Sequence, residues 1–136
     1  MKSTKPILLI EDNRADEMSL KRALKDLKVT NTLDVTGNGE EALEFLNEPK
    51  SELPCVIFLD INMPRMNGIE FLRIIKQDDR LKIIPVVVLT SFKEDQDKLD
   101  SFGLGIAGYM QKPVDYCKFI EAIRTINLYW TLSELA

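Results

Sequence analysis

Histidine is absent from this 136-residue chain, and cysteine occurs only twice, at Cys55 and Cys117. The absence of imidazole, and two thiols that form no ligand spacing, argue against a zinc site. Both cysteines stand among apolar residues, so they read as buried free thiols in a reducing compartment, which places the protein in the cytoplasm. Long apolar runs are also missing. The start, "MKSTKPILLIED", holds four consecutive apolar residues before acids arrive, too few for a signal peptide or a membrane span. Nor is there an excess of basic charge: 18 Lys and Arg face 22 Asp and Glu, a net charge of −4. That balance argues against nonspecific nucleic-acid binding and against an anionic membrane surface. No repeat, low-complexity tract or linker interrupts the chain, whose length suits one domain with a single core.

What the chain does have is an alternation of two periods. "ILLI" (Ile7–Ile10) reads as a buried strand, followed by a helix over Ala15–Leu27 with Leu20, Ala23, Leu24 and Leu27 on one face. A weaker strand at Thr32–Thr36 precedes a helix that Asn38 can cap, carrying Ala42, Leu43, Phe45 and Leu46. "CVIFLD" is a third strand and Gly68–Gln77 a third helix. "IPVVVLT" (Ile84–Thr90) is a fourth strand, dense in β-branched residues without alternation and therefore expected to be buried on both faces. "KEDQDKLDSFG" makes a poorer fourth helix with Leu99 and Phe102 as anchors. "AGYMQK" is a short fifth strand, and Val114–Leu128 a fifth helix with Tyr116, Phe119, Ile120, Ile123 and Ile126 in register. Strands and helices in alternation imply an α/β fold, a five-stranded parallel sheet covered on both faces.

In such open sheets the functional site lies outside the carboxyl ends of the strands, so the residues that end each strand matter most. They are Glu11 and Asp12, then Asp60, then Thr90 with Ser91, then Lys112 with Pro113. Each has an ordinary explanation alone. Asp12 or Asn13 would serve as a helix N-cap, Asp60 as a turn residue, Thr90 as a β-former and Lys112 as a solvated charge. Together they would require four strands to end by chance in complementary chemistry. Three carboxylates in one pocket repel unless a cation neutralises them, and hard oxygen donors without His or thiolate suit Mg²⁺. A carboxylate there can act as a nucleophile toward phosphorus, aided by the metal, by the Lys112 cation and by the Thr90 hydroxyl.

The segments "LLIEDN", "VIFLDINMPRMNG", "VVVLTS" and "GYMQKP" occur in that order, and with them the chain resembles the receiver domain of two-component response regulators. The resemblance covers about residues 5 to 128, leaving 129–136 as an apolar tail beyond a receiver domain at 1–128. It implies a doubly wound, flavodoxin-like (βα)5 fold with strand order 2-1-3-4-5. It places the phosphoacceptor on Asp60 and the acidic metal pair on Glu11 and Asp12, with the Asn62 backbone carbonyl as a further Mg²⁺ ligand. It assigns the switch hydroxyl to Thr90, the phosphate-binding lysine to Lys112 and the rotating aromatic to Tyr109, with a cis Lys112–Pro113 bond. Glu11 replaces the more frequent Asp, lengthening that acid by one methylene, and Ser91 stands where Ala or Gly is usual.

The implied function is phosphoryl acceptance from a partner sensor histidine kinase, followed by a switch of interaction surface on helix four, strand five and helix five. The chain carries no nucleotide-binding loop of its own, so it is not expected to be a kinase, and at most it catalyses its own phosphotransfer and dephosphorylation. Past helix five, Tyr129, Trp130, Leu132 and Leu135 either fold back onto the domain or form an interface; a core complete without them favours the interface, giving a homodimer. A "YW" segment here, and the loop "DDRLKIIP", resemble regulators that serve bacterial phytochrome kinases. No DNA-binding or enzymatic segment follows, so the receiver is expected to stand alone. A flavodoxin-like cofactor binder is the alternative on this fold, but its phosphate loop would have to be Gly/Ser/Thr-rich, and "EDNRADE" is acidic. An aspartyl phosphohydrolase would carry its nucleophile on the first strand, whereas Asp60 ends the third.

Overall fold

Strands that are apolar on both faces need cover on both sides, and the chain supplies it with helices. The computed structural model describes residues 5–26, 28–50, 52–61, 66–90, 97–100, 103–111, 117, 120, 121 and 124. The strands are β1 (Ile7–Ile10), β2 (Leu33–Thr36), β3 (Val56–Asp60), β4 (Val86–Thr90) and β5 (Gly108–Gln111). They form one parallel sheet in the order β2-β1-β3-β4-β5, as the resemblance implies. Every residue of β1, β3 and β4 is buried, which accounts for their unbroken aliphatic composition. β2, at the edge, is only partly covered and correspondingly mixed in sequence.

Two apolar layers flank the sheet. Leu8, Ile10, Ile57, Leu59, Val86 and Val88 pack against helices α2 (Gly39–Asn47) and α3 (Gly68–Lys76) and against Leu99. The alternate residues, including Ile7, Leu9, Phe58, Val87 and Leu89, pack against helix α1 (Arg14–Asp26) and Ile120. Each fully buried Leu or Ile contributes about 1.5–3 kcal/mol over leaving it in water, so the layers together set the sheet's rigidity. Residues 97–100 and 117, 120, 121 and 124 are helical, within the spans expected for the fourth and fifth helices. No helix among the described residues is long and apolar enough to cross a membrane.

Boundaries moved where hydrogen bonding overrode periodicity. The expected fourth strand loses Ile84 and Pro85, because the Ile84 N–H turns back to the Leu81 carbonyl (3.1 Å) and Pro85 has no N–H to offer. Cys117, expected to be buried, is exposed, and Cys55 is only half-buried. Cys117 shares an i, i+4, i+7 stripe with exposed Glu121 and Arg124, so it lies on the solvent side of its helix. Leu27, Phe102, Tyr116, Phe119, Ile123, Ile126 and the tail at 129–136 lie outside the described residues.

The end of α1 shows a device that no glycine announces. Val29 N–H donates to the Leu24 carbonyl (2.9 Å) and Lys28 N–H to that of Lys25 (3.0 Å), a Schellman closure. Lys28 occupies the left-handed position with φ 58°. A side chain there is strained, whereas glycine adopts it freely but adds unfolded-state entropy. Lys28→Gly is therefore expected to stabilise the fold by about 0.5 kcal/mol, read as a higher urea midpoint at unchanged m-value.

Candidate functional site

The sheet register brings the strand ends together before any side chain is considered. Ile10 is paired with Leu59, so Glu11 emerges beside Asp60, and Asp60 is paired with Leu89, so Thr90 emerges on its other flank. Glu11 and Asp60 are each 3% exposed and Thr90 is fully buried, while Asp12 is exposed. One carboxylate oxygen from each of Glu11, Asp12 and Asp60 lies within 4.8 Å of the others. The acids expected to meet do meet.

Local hydrogen bonds explain how they are held. Asn13, not Asp12, caps α1: its Oδ1 accepts from the Asp16 N–H (3.1 Å), while Glu11 Oε1 accepts from the Asn13 N–H (3.1 Å). The ordinary reading of Asp12 as a cap therefore fails, and its carboxylate joins the cluster. Asn67 caps α3 through Oδ1 and the Glu70 N–H (3.0 Å), and Gly68 N–H donates to the Ile61 carbonyl (3.1 Å), next to Asp60. A Cβ on Gly68 would stand 2.7 Å from Ile61 Cα, so only glycine lets α3 start this close to the end of β3. Asn62, Ser91, Lys112 and Pro113 lie outside the described residues.

Two ionised carboxylates about 5 Å apart repel by on the order of 3 kcal/mol at an effective dielectric near 20, and burial adds a desolvation cost. The arrangement calls for a cation. Its donors are all carboxylate oxygens, the chemistry that a hard divalent ion prefers.

Tyr109 stands on β5 opposite Val88, half-buried against the α2–α3 layer. Its hydroxyl donates to Asp100 Oδ1 at 2.5 Å. Burial first, then the hydrogen bond to Asp100 and the charges of Asp100 and Asp97, push the phenol up to about 12. Sequence reasoning found Tyr109 but missed Asp100, since nothing in the spacing of a poor helix links it to a strand nine residues on.

The response regulator receiver domain family matches residues 7–124. The chain belongs to this family. Phosphoryl acceptance is the receiver's general function, and histidine kinases are its partners. Among curated relatives, the probable methanogenesis regulatory protein FilR2 of Methanothrix harundinacea is 34% identical over 127 residues, covering 91% of this chain and 82% of the relative. Response regulator Rcp1 of Synechocystis is 34% identical over 130 residues, covering 93% and 88%. Among solved structures, the bacteriophytochrome response regulator RtBRR matches with a TM-score of 0.82 and 38% identity, covering 90% of this chain and 77% of that one. The Mn(2+)-bound form of Rcp1 matches with a TM-score of 0.78 and 34% identity, over 93% and 94% of the two chains. The receiver thus has relatives in phytochrome response signalling.

The phenol's raised value fixes a pH window. Folding binds the Tyr109 proton more tightly, so the resulting stability is fully present below about pH 10, the ordinary tyrosine value. It fades as pH climbs through about 12. Tyrosine-ring NMR titration should show one phenol ionising near that value, and Asp100→Asn should return it toward the ordinary range.

Proposed function

We propose that this receiver accepts a phosphoryl group on Asp60 from the phosphohistidine of a sensor histidine kinase, with Mg²⁺ as the metal. The observation that carries the reading is the convergence of Glu11, Asp12 and Asp60, with their oxygens within 4.8 Å at the carboxyl edge beside buried Thr90. An Asp60 carboxylate oxygen attacks phosphorus in line; the new P–O bond forms as the P–N bond breaks, and its electron pair leaves with the kinase imidazole. Glu11, Asp12, Asp60 and the Asn62 carbonyl hold Mg²⁺, which when bound screens the anionic site and neutralises charge on the transferring group. Lys112 pairs with the phosphoryl oxygens, and the Thr90 hydroxyl donates to one of them. Thr90's move leaves space that Tyr109 enters by turning inward, a local charge event that biases a two-state element. The protein is a signalling module whose only catalysis is on its own phosphoryl group.

The input is a bacterial phytochrome kinase, a reading supported by the likeness to RtBRR and Rcp1. Residues 1–128 form the receiver, and 129–136 with the face of helix four, strand five and helix five form a homodimer contact in the cytoplasm. Neither nucleic acid nor membrane is a partner, in keeping with the net charge of −4.

Acetyl phosphate with Mg²⁺ should give a one-phosphoryl mass increase in the wild-type chain and none in Asp60→Asn; an adduct of equal yield in the variant would place the acceptor elsewhere. Truncation after Leu128 should convert dimer to monomer in light scattering, and an unchanged mass distribution would remove the tail from the interface.

A further inference from the structure

Tyr109 has two places to go. On β4, Val88 and Thr90 share a face, and Tyr109 is paired with Val88, so the ring stands diagonal to Thr90 on the same side of the sheet. It can lie toward Thr90 or away from it, toward the helical residues 97–100. The hydrogen bond to Asp100 selects the second. There the ring walls a cavity of about 360 Å³ with Leu99, Leu104 and Ile106, lined also by Gly103 and Gly105. Both glycines have positive φ (62° and 60°), and a Cβ on either would meet nothing within 4 Å. The ring thus borders existing space on one side while packing against the α2–α3 layer on the other.

We propose that Asp100 is a positioning residue of the switch: its carboxylate holds the Tyr109 hydroxyl away from Thr90, and the receiver must give up that bond to accept a phosphoryl group. The inference rests on the reading of Asp60 and Tyr109 given above. Its energetic logic is linkage. If the phosphorylated site favours the inward ring and Asp100 the outward one, removing the carboxylate must strengthen binding at Asp60. The bond is charge-assisted but lies at the surface, where solvent weakens it, so the effect is about three- to tenfold.

The equilibrium probe is beryllofluoride with Mg²⁺, a phosphoryl mimic, titrated calorimetrically into the full chain. Asp100→Asn should bind it about three- to tenfold more tightly than wild type, Asp100→Ser should do the same, and Asp100→Glu should return most of the way. In a Tyr109→Phe background, which keeps the ring and removes the hydroxyl, Asp100→Asn should change affinity less than twofold. An Asp100→Asn effect that persists in that background, or is absent in the wild-type background, overturns the positioning role. Wild type binding the probe no better than Asp60→Asn overturns the acceptor reading itself, and the two failures are thereby distinct.

Discussion

Two buried carboxylates of like charge, Glu11 and Asp60, stand side by side at the end of adjacent strands, and the fold is arranged to keep them there. Left to itself the pair would separate or draw in water. Separation is opposed, because β1 and β3 are buried along their whole length and hydrogen-bonded in fixed register. The aliphatic layers above and below supply the stability that makes such an unfavourable juxtaposition sustainable. Repulsion that the unliganded protein tolerates is relieved when a cation enters, so the apolar core and the acidic pocket are two sides of one energetic arrangement.

The helices meet that edge through their caps. Asn13 and Asn67 satisfy the first turns of α1 and α3 with neutral amides, which leaves Asp12 for the cluster and brings α3 up against Ile61 through Gly68. Had Asp12 been the cap, its charge would have been spent on the helix terminus. On the other side, the path from residue 97 to β5 is built differently, with Leu99 as a lone buried anchor among its described residues, two left-handed glycines and a hollow beneath Tyr109. Glu11 and Asp60 thus sit at buried strand ends, whereas the aromatic borders a hollow on one side.

Much of this was legible because the rules that produce it are local. Aliphatic runs of four to seven residues, the Asn38 cap, and acids placed at strand ends carry the fold class and the acidic cluster directly in the sequence. What escaped depended on geometry that sequence does not encode locally. Lys28 closes α1 in a conformation usually signalled by glycine. Cys117 has apolar neighbours in sequence but shares its helix face with Glu121 and Arg124. The choice of Asn13 over Asp12 as a cap was open because both residue types serve. Asp100 was invisible because its partner lies across a loop whose path had to be known first.

Magnitudes decide what kind of control such a contact can exert. A phosphoryl group would bring roughly −1.5 to −2 charges into a pocket already holding three carboxylates, with several new charge-assisted hydrogen bonds. Each of those is worth about 1.5–3 kcal/mol, so the differential between the two states is several kcal/mol. A surface hydrogen bond from Tyr109 to Asp100 contributes about 1 kcal/mol against it. The phosphoryl contacts outweigh the tyrosine's bond, so that bond cannot block switching; it shifts the balance point by less than a factor of ten or so. Its effect would be greatest before phosphorylation, when inward and outward tyrosine compete without the phosphoryl bias. Asp100 would thus lower the resting population of the active conformer while leaving the full response within reach.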